Sequence, residues 1–130
     1  MNLSQLSDYL ENALLNAVLR GQQYVSPAKV YVGLFTTDPT DAGTGTEVTG
    51  GAYARQAVDF TAPVDGQVSN SNEVLFPIAT AAWGAITHIG LYDTVAGGNP
   101  LWHGPLEFQK VIDVSSQFKI PQNYLIVRLK

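Results

Sequence analysis

The sequence predicts a mainly β fold: an antiparallel β-sandwich, jelly-roll or Greek-key-like, preceded by one N-terminal amphipathic α-helix. Three observations predict it. Residues 2–20 carry apolar side chains at helical spacing. From Lys29 onward the texture changes to short β-branched and aromatic runs. Turn signals such as Asp65-Gly66 and Gly97-Gly98-Asn99 separate those runs, giving roughly seven or eight short strands, the pattern of a sandwich or barrel. The 130 residues suit one domain, 1–130, with the helix at 2–20 and the sandwich at 29–130.

The helix is expected to start at Asn2 as N-cap, with Gln5 completing a capping box. Leu3, Leu6, Leu10, Ala13, Leu14, Ala17 and Val18 form its apolar face, and Gly21 stops it. Leu15 and Leu19 widen that face, so it packs either on its own core or on a neighbouring subunit. Lys29–Thr36 is apolar on both faces and reads as a central strand. Residues 37–52 form a long Thr/Gly/Asp loop, and Tyr53–Phe60 is the next strand. Strands follow through Val68, through Val74 and Phe76, at Ala85–Asp93, at Leu101–Gly104, near Phe108–Val114, at Phe118–Ile120 and at Tyr124–Leu129.

Charged residues make up 14% of the chain, against about 25% in ordinary soluble domains. A surface poor in charge and rich in small polar groups costs little to desolvate, which suits lasting contacts with other chains. The net charge is −4 and the seven basic residues are scattered, which argues against nucleic-acid binding. Without cysteine there is neither a disulfide nor a thiolate metal site. The N-terminal apolar residues are interrupted by Asp8, Glu11 and Asn12, so no signal peptide is expected. No apolar run reaches membrane-spanning length.

Candidate chemistry is sparse. His88 and His103 lack the short ligand spacing of a metal site and are expected to have a structural or interface role. Asp38, Asp41 and Glu47 share the 37–51 loop, but their spacing does not match a calcium-binding loop. The loop glycines form no phosphate-binding motif, and no serine stands in a nucleophile elbow. No catalytic, cofactor-binding or metal residues and no cofactor are therefore assigned. Trp83, Tyr92 and Trp102 are candidate interface or ligand aromatics, with core packing as the plainer role. Arg55 shares a strand face with Tyr53; if that face is covered, its guanidinium needs a carboxylate or carbonyl partner. Asp59 is the expected partner by parity and Asp93 the alternative.

The order of segments carries more. SDYLENALL, KVYVGLFTTDPT, GTGTEVTGGAYARQAVDF, VLFPIATAAWGAITHIGLYD, GGNPLWHGPL and FKIPQNYLIVRL span nearly the whole chain. In that order they resemble a family of small bacteriophage virion proteins, commonly labelled tail fibre proteins. The resemblance implies a non-enzymatic structural protein of the virion, present in multiple copies, made in the host cytoplasm and working through contacts with tail or capsid subunits. A homo-oligomer is expected, with no nucleic-acid or membrane partner. A capsid decoration (cement) protein is the alternative. A carbohydrate- or receptor-binding module that takes a host-surface glycan through Trp102 is a third reading.

Overall fold

The computed structural model describes residues 1–129; Lys130, the last residue of the expected sandwich, lies outside them. In chain order the elements are β1 (Asn2–Leu3), β2 (Gln5–Leu6), α1 (Asp8–Leu19), β3 (Val30–Phe35) and β4 (Gln56–Val58), then β5 (Gln67–Ser69), β6 (Val74–Leu75), β7 (Gly84–Tyr92), β8 (Pro100–Ile112), β9 (Lys119–Ile120) and β10 (Ile126–Arg128). They make a five-stranded sheet in the order β2-β8-β7-β3-β4, a three-stranded sheet β1-β10-β5 and a two-stranded pair β6-β9. Pairing is antiparallel except between β1 and β10, where Asn2 lies opposite Ile126. The core packs between the large sheet, through Val32, Leu34, Ile86, Ile89, Leu91 and Leu101, and the smaller ones, through Leu3, Val74, Ile120 and Val127. The mainly β, sandwich-like architecture with one N-terminal helix is thus the one the sequence predicts. No helix among the described residues is long and apolar enough to cross a membrane.

The helix starts later than expected. Ser7, not Asn2, is the N-cap: its backbone is extended and its hydroxyl accepts from the Leu10 N–H at 3.1 Å. The same hydroxyl donates to the Pro100 carbonyl at 2.5 Å, and Ser7 is fully buried. Residues 2–6 matched a helical period but pair as strands, with β1 against β10 and β2 against β8. Sheet pairing buries Leu3 completely, and burying a leucine side chain contributes about 1.5–3 kcal/mol. The apolar face is also shorter than expected. Leu10 is buried and Leu14 packs against the core, whereas Leu15, Val18 and Leu19 are exposed.

Two strand boundaries differ for local reasons. The expected strand at 53–60 shrinks to β4, because Gly50, Gly51 and Ala52 all have positive φ and Tyr53 N–H closes a turn onto the Gly50 carbonyl. In contrast, the runs at 101–104 and 108–114 fuse into the single strand β8. The partner β7 is long enough to pair with both, and register shifts absorb the mismatch. β3 is the central strand predicted, flanked by β4 and β7.

Candidate functional site

The clearest polar constellation lies over one face of β3 and β7. Beyond the end of β4, Glu47 continues the pairing along β3: it bridges Phe35, while Val48 N–H bonds the Leu34 carbonyl at 3.0 Å. Strand alternation puts Gly33 and Phe35 on one face of β3, and Gly33 pairs with Gly90 of β7. The missing side chain at Gly33 makes the room: a Cβ there would stand 2.9 Å from a Glu47 carboxylate oxygen and 3.4 Å from the Tyr53 hydroxyl. Over this floor Phe35 and Tyr92 stack with centroids 5.9 Å apart.

Arg55 closes the cluster. Its Nε and Nη2 donate to the two Glu47 carboxylate oxygens, both at 2.8 Å, the bidentate geometry of a strong pair. Its Nη1 donates to the carbonyls of Thr94 (3.0 Å) and Gly97 (2.8 Å) in the β7–β8 turn. The guanidinium carbon sits 3.8 Å above the Tyr92 ring. The Tyr53 hydroxyl donates to Glu47 at 2.5 Å and accepts from Leu34 N–H. Burial, then the Glu47 hydrogen bond, raise the Tyr53 pKa far above its usual range. For Arg55, burial lowers the pKa, but the Glu47 hydrogen bonds and charge outweigh it and the net shift is upward.

The partner of Arg55 is therefore Glu47, not Asp59: the extended chain through β4 carries Asp59 about 13 Å away from Arg55, whereas the bridge to Phe35 brings Glu47 beside it. Asp59 is exposed, and its carbonyl serves Ser71. Asp93 instead shapes the turn that Arg55 grips, accepting from Asn99 N–H at 2.7 Å. The cluster's chemistry is spent internally. Both Glu47 oxygens are occupied, and Arg55 engages a carboxylate, two carbonyls and a ring. It ties the 37–55 segment to the β7–β8 turn and has no free base or acid to offer.

The candidate aromatics separate. Trp83 is buried, stands edge-on to Tyr53 and Phe76, and donates its indole N–H to the Gly51 carbonyl at 2.8 Å. Gly51 must be glycine on two counts: its φ is +58° and a Cβ would lie 2.9 Å from the Trp83 indole nitrogen. Tyr92 is buried beneath Arg55. Trp102 is half-buried, donates to the Arg128 carbonyl at 3.2 Å and lines a cavity of about 330 Å³ between the two larger sheets. Phe60, Leu91, Leu101 and Val127 also line that cavity, with Arg128 beside them. The buried Arg128 Nε has no hydrogen-bond partner.

The histidines are not brought together as ligands. His88 lies opposite Pro105 and its Nδ1 meets the Thr87 hydroxyl at 2.8 Å. His103 lies opposite Gly90, is buried, and its Nε2 meets Asp41 at 2.7 Å. That contact, with the Asp8 N–H bond to the Asp41 carbonyl, pins the long loop to β8 and to the helix start. Asp8, Glu11 and Asp41 place carboxylates within 4.8 Å of one another, all exposed. Sequence reasoning missed Asn70. It is fully buried, donates to the carbonyls of Asn72 (2.7 Å) and Pro121 (3.0 Å), and accepts from Leu125 N–H (2.9 Å). Its Ser-Asn-Ser-Asn setting reads as an ordinary turn, so no sequence signal separates it from its neighbours.

Comparison with known proteins gives one family. The family model described as Podophage GP4 fiber I protein gp80 matches residues 5–128. No curated protein matches the chain.

Proposed function

Since the chain belongs to the family of the podophage GP4 fiber I protein gp80, a phage fibre family of the virion, we propose that it is a fibre-associated subunit that works by assembly contacts and without catalysis. The match over residues 5–128 is the observation that carries this reading. The geometry supports it. The dense polar cluster around Arg55 is consumed in holding loops together, as a scaffold residue set would be. The surface is poor in charge and displays apolar side chains, among them Leu15, Val18, Leu19 and Phe108, as suits a protein with lasting partners. Those partners are other virion proteins and further copies of this chain.

The fibre reading is preferred to capsid decoration because the family description names a fibre. A glycan-binding role has less support, since Trp83 and Tyr92 are occupied inside the core. Antibody labelling of intact particles under the electron microscope tests the proposal. Label confined to fibres or the tail region is the expected result. Label spread over the capsid faces would overturn it in favour of decoration.

A further inference from the structure

We propose that copies of this chain join head to tail: Phe108 of one copy inserts into the cavity lined by Phe60, Trp102 and Val127 of the next, and Glu107 of the first meets Arg128 of the second. The inference rests on the reading of the chain as an assembly subunit and names one interface that subunit would use.

The knob is made by a mismatch in the sheet. Between the pairs Ile86↔Lys110 and His88↔Pro105, β7 holds only Thr87 while β8 holds residues 106–109. The excess must leave the ladder, and such bulges re-aim side chains. Leu106 turns toward the core, whereas Phe108 is 77% exposed and Glu107 is exposed beside it. A lone exposed apolar residue is common, so Phe108 marks an interface only where a matching socket exists.

The cavity supplies the socket. It opens to the surface and holds about 330 Å³ between apolar walls. A cavity of about 150 Å³ already accepts benzene, so a phenyl ring fits. The charges complement each other. Arg128 beside the cavity has no ion-pair partner among the described residues and an unsatisfied buried Nε. Glu107 likewise has no ion-pair partner among the described residues. Seating Phe108 brings a carboxylate to a guanidinium that has none among the described residues.

A copy cannot fill its own socket. Trp102 and Phe108 lie on the same strand, six residues apart at about 3.3 Å of rise each, so knob and socket are at different places along it. The contact is therefore made between copies, and its head-to-tail repetition yields a ring or a filament.

The chain has no cysteine, so engineered cross-links are unambiguous. Gln109→Cys is mixed with Leu129→Cys and oxidised; both sites are exposed, the first beside the knob and the second at the socket. A disulfide-linked dimer is expected from this pair and not from Leu19→Cys mixed with Leu129→Cys. In sedimentation, Phe108→Ala should weaken self-association by about 30-fold or more. As its side chain is exposed, the melting temperature should not change. Glu107→Arg and Arg128→Glu should each weaken association, and their mixture should restore it. Self-association of the wild type that survives Phe108→Ala unchanged would overturn the interface and leave the assembly reading standing. A wild type that stays monomeric up to millimolar concentration would also overturn it, while particle labelling judges the assembly reading separately.

Discussion

Arg55→Ala offers the sharpest test of how the fold is held. The Arg55 side chain is 7% exposed and that of Glu47 is 23% exposed. Removing one member of a buried pair costs about 3–5 kcal/mol, because the other charge stays behind without compensation. Two effects adjust this figure. The partial exposure of Glu47 lets water reach the orphaned carboxylate, which lowers the cost. Loss of the Thr94 and Gly97 carbonyl bonds and of the Tyr92 contact raises it. We expect a net loss of about 3–4 kcal/mol, or roughly 10–15 °C in melting temperature for a chain of this size. Urea and thermal unfolding followed by circular dichroism read it directly. Arg55→Lys should fall between, since an ammonium cannot span both Glu47 oxygens and two carbonyls at once. A double-mutant cycle with Glu47→Gln should show a coupling of about 2 kcal/mol. A fall of less than about 3 °C for Arg55→Ala would refute the claim that this pair clamps the loops.

Other perturbations probe separate parts of the structure. Burial raises the pKa of Tyr53 and Tyr92 above their ordinary 10.0. Below pH 10 their contribution is therefore fully present; as pH rises further the unfolded state releases protons that the folded state keeps, and stability falls. Urea titrations at alkaline pH should show a slope of at most about 1.4 kcal/mol per pH unit for each tyrosine, and Tyr53→Phe should remove one share of it. Asn70→Asp should cost about 3 kcal/mol by urea unfolding, because a carboxylate cannot donate to the Asn72 and Pro121 carbonyls; an unchanged midpoint would contradict the geometry. Ser7→Ala should cost about 1–2 kcal/mol in the same assay through loss of the helix cap and the Pro100 bond. Gly51→Ala should lower the melting temperature and shift Trp83 fluorescence, since the new Cβ would meet the indole.

Parts of the architecture were legible because they depend on local pattern. The two apolar faces of Val30–Phe35 identified a central strand, and alternation with glycine-rich turns identified the β7–β8 hairpin. The helix start was misread because Leu3 and Leu6 satisfy a helical period as well as a strand pairing. The sequence does not say that β8 and β10 wait to receive residues 2–6. The site was half legible. A buried arginine demands a carboxylate or carbonyl partner, and that demand follows from charge desolvation alone; Arg55 takes both. Which carboxylate answers it depends on a bridge between Phe35 and Glu47 and on the space left at Gly33, both of them contacts between distant segments.

The sequence by itself determined the β-rich class, the single helix, the absence of any cysteine chemistry and the resemblance to phage fibre proteins. These follow from residue identity, periodicity and motif order, which are properties of the chain read in one dimension. Only the tertiary structure decided that Arg55 holds Glu47, that Asn70 is buried and fully bonded, and that an apolar cavity lies beside an arginine with no ion-pair partner among the described residues. Those facts rest on which strands become neighbours and in what register. A one-residue change of register moves a side chain to the other face of its sheet without altering the sequence at all.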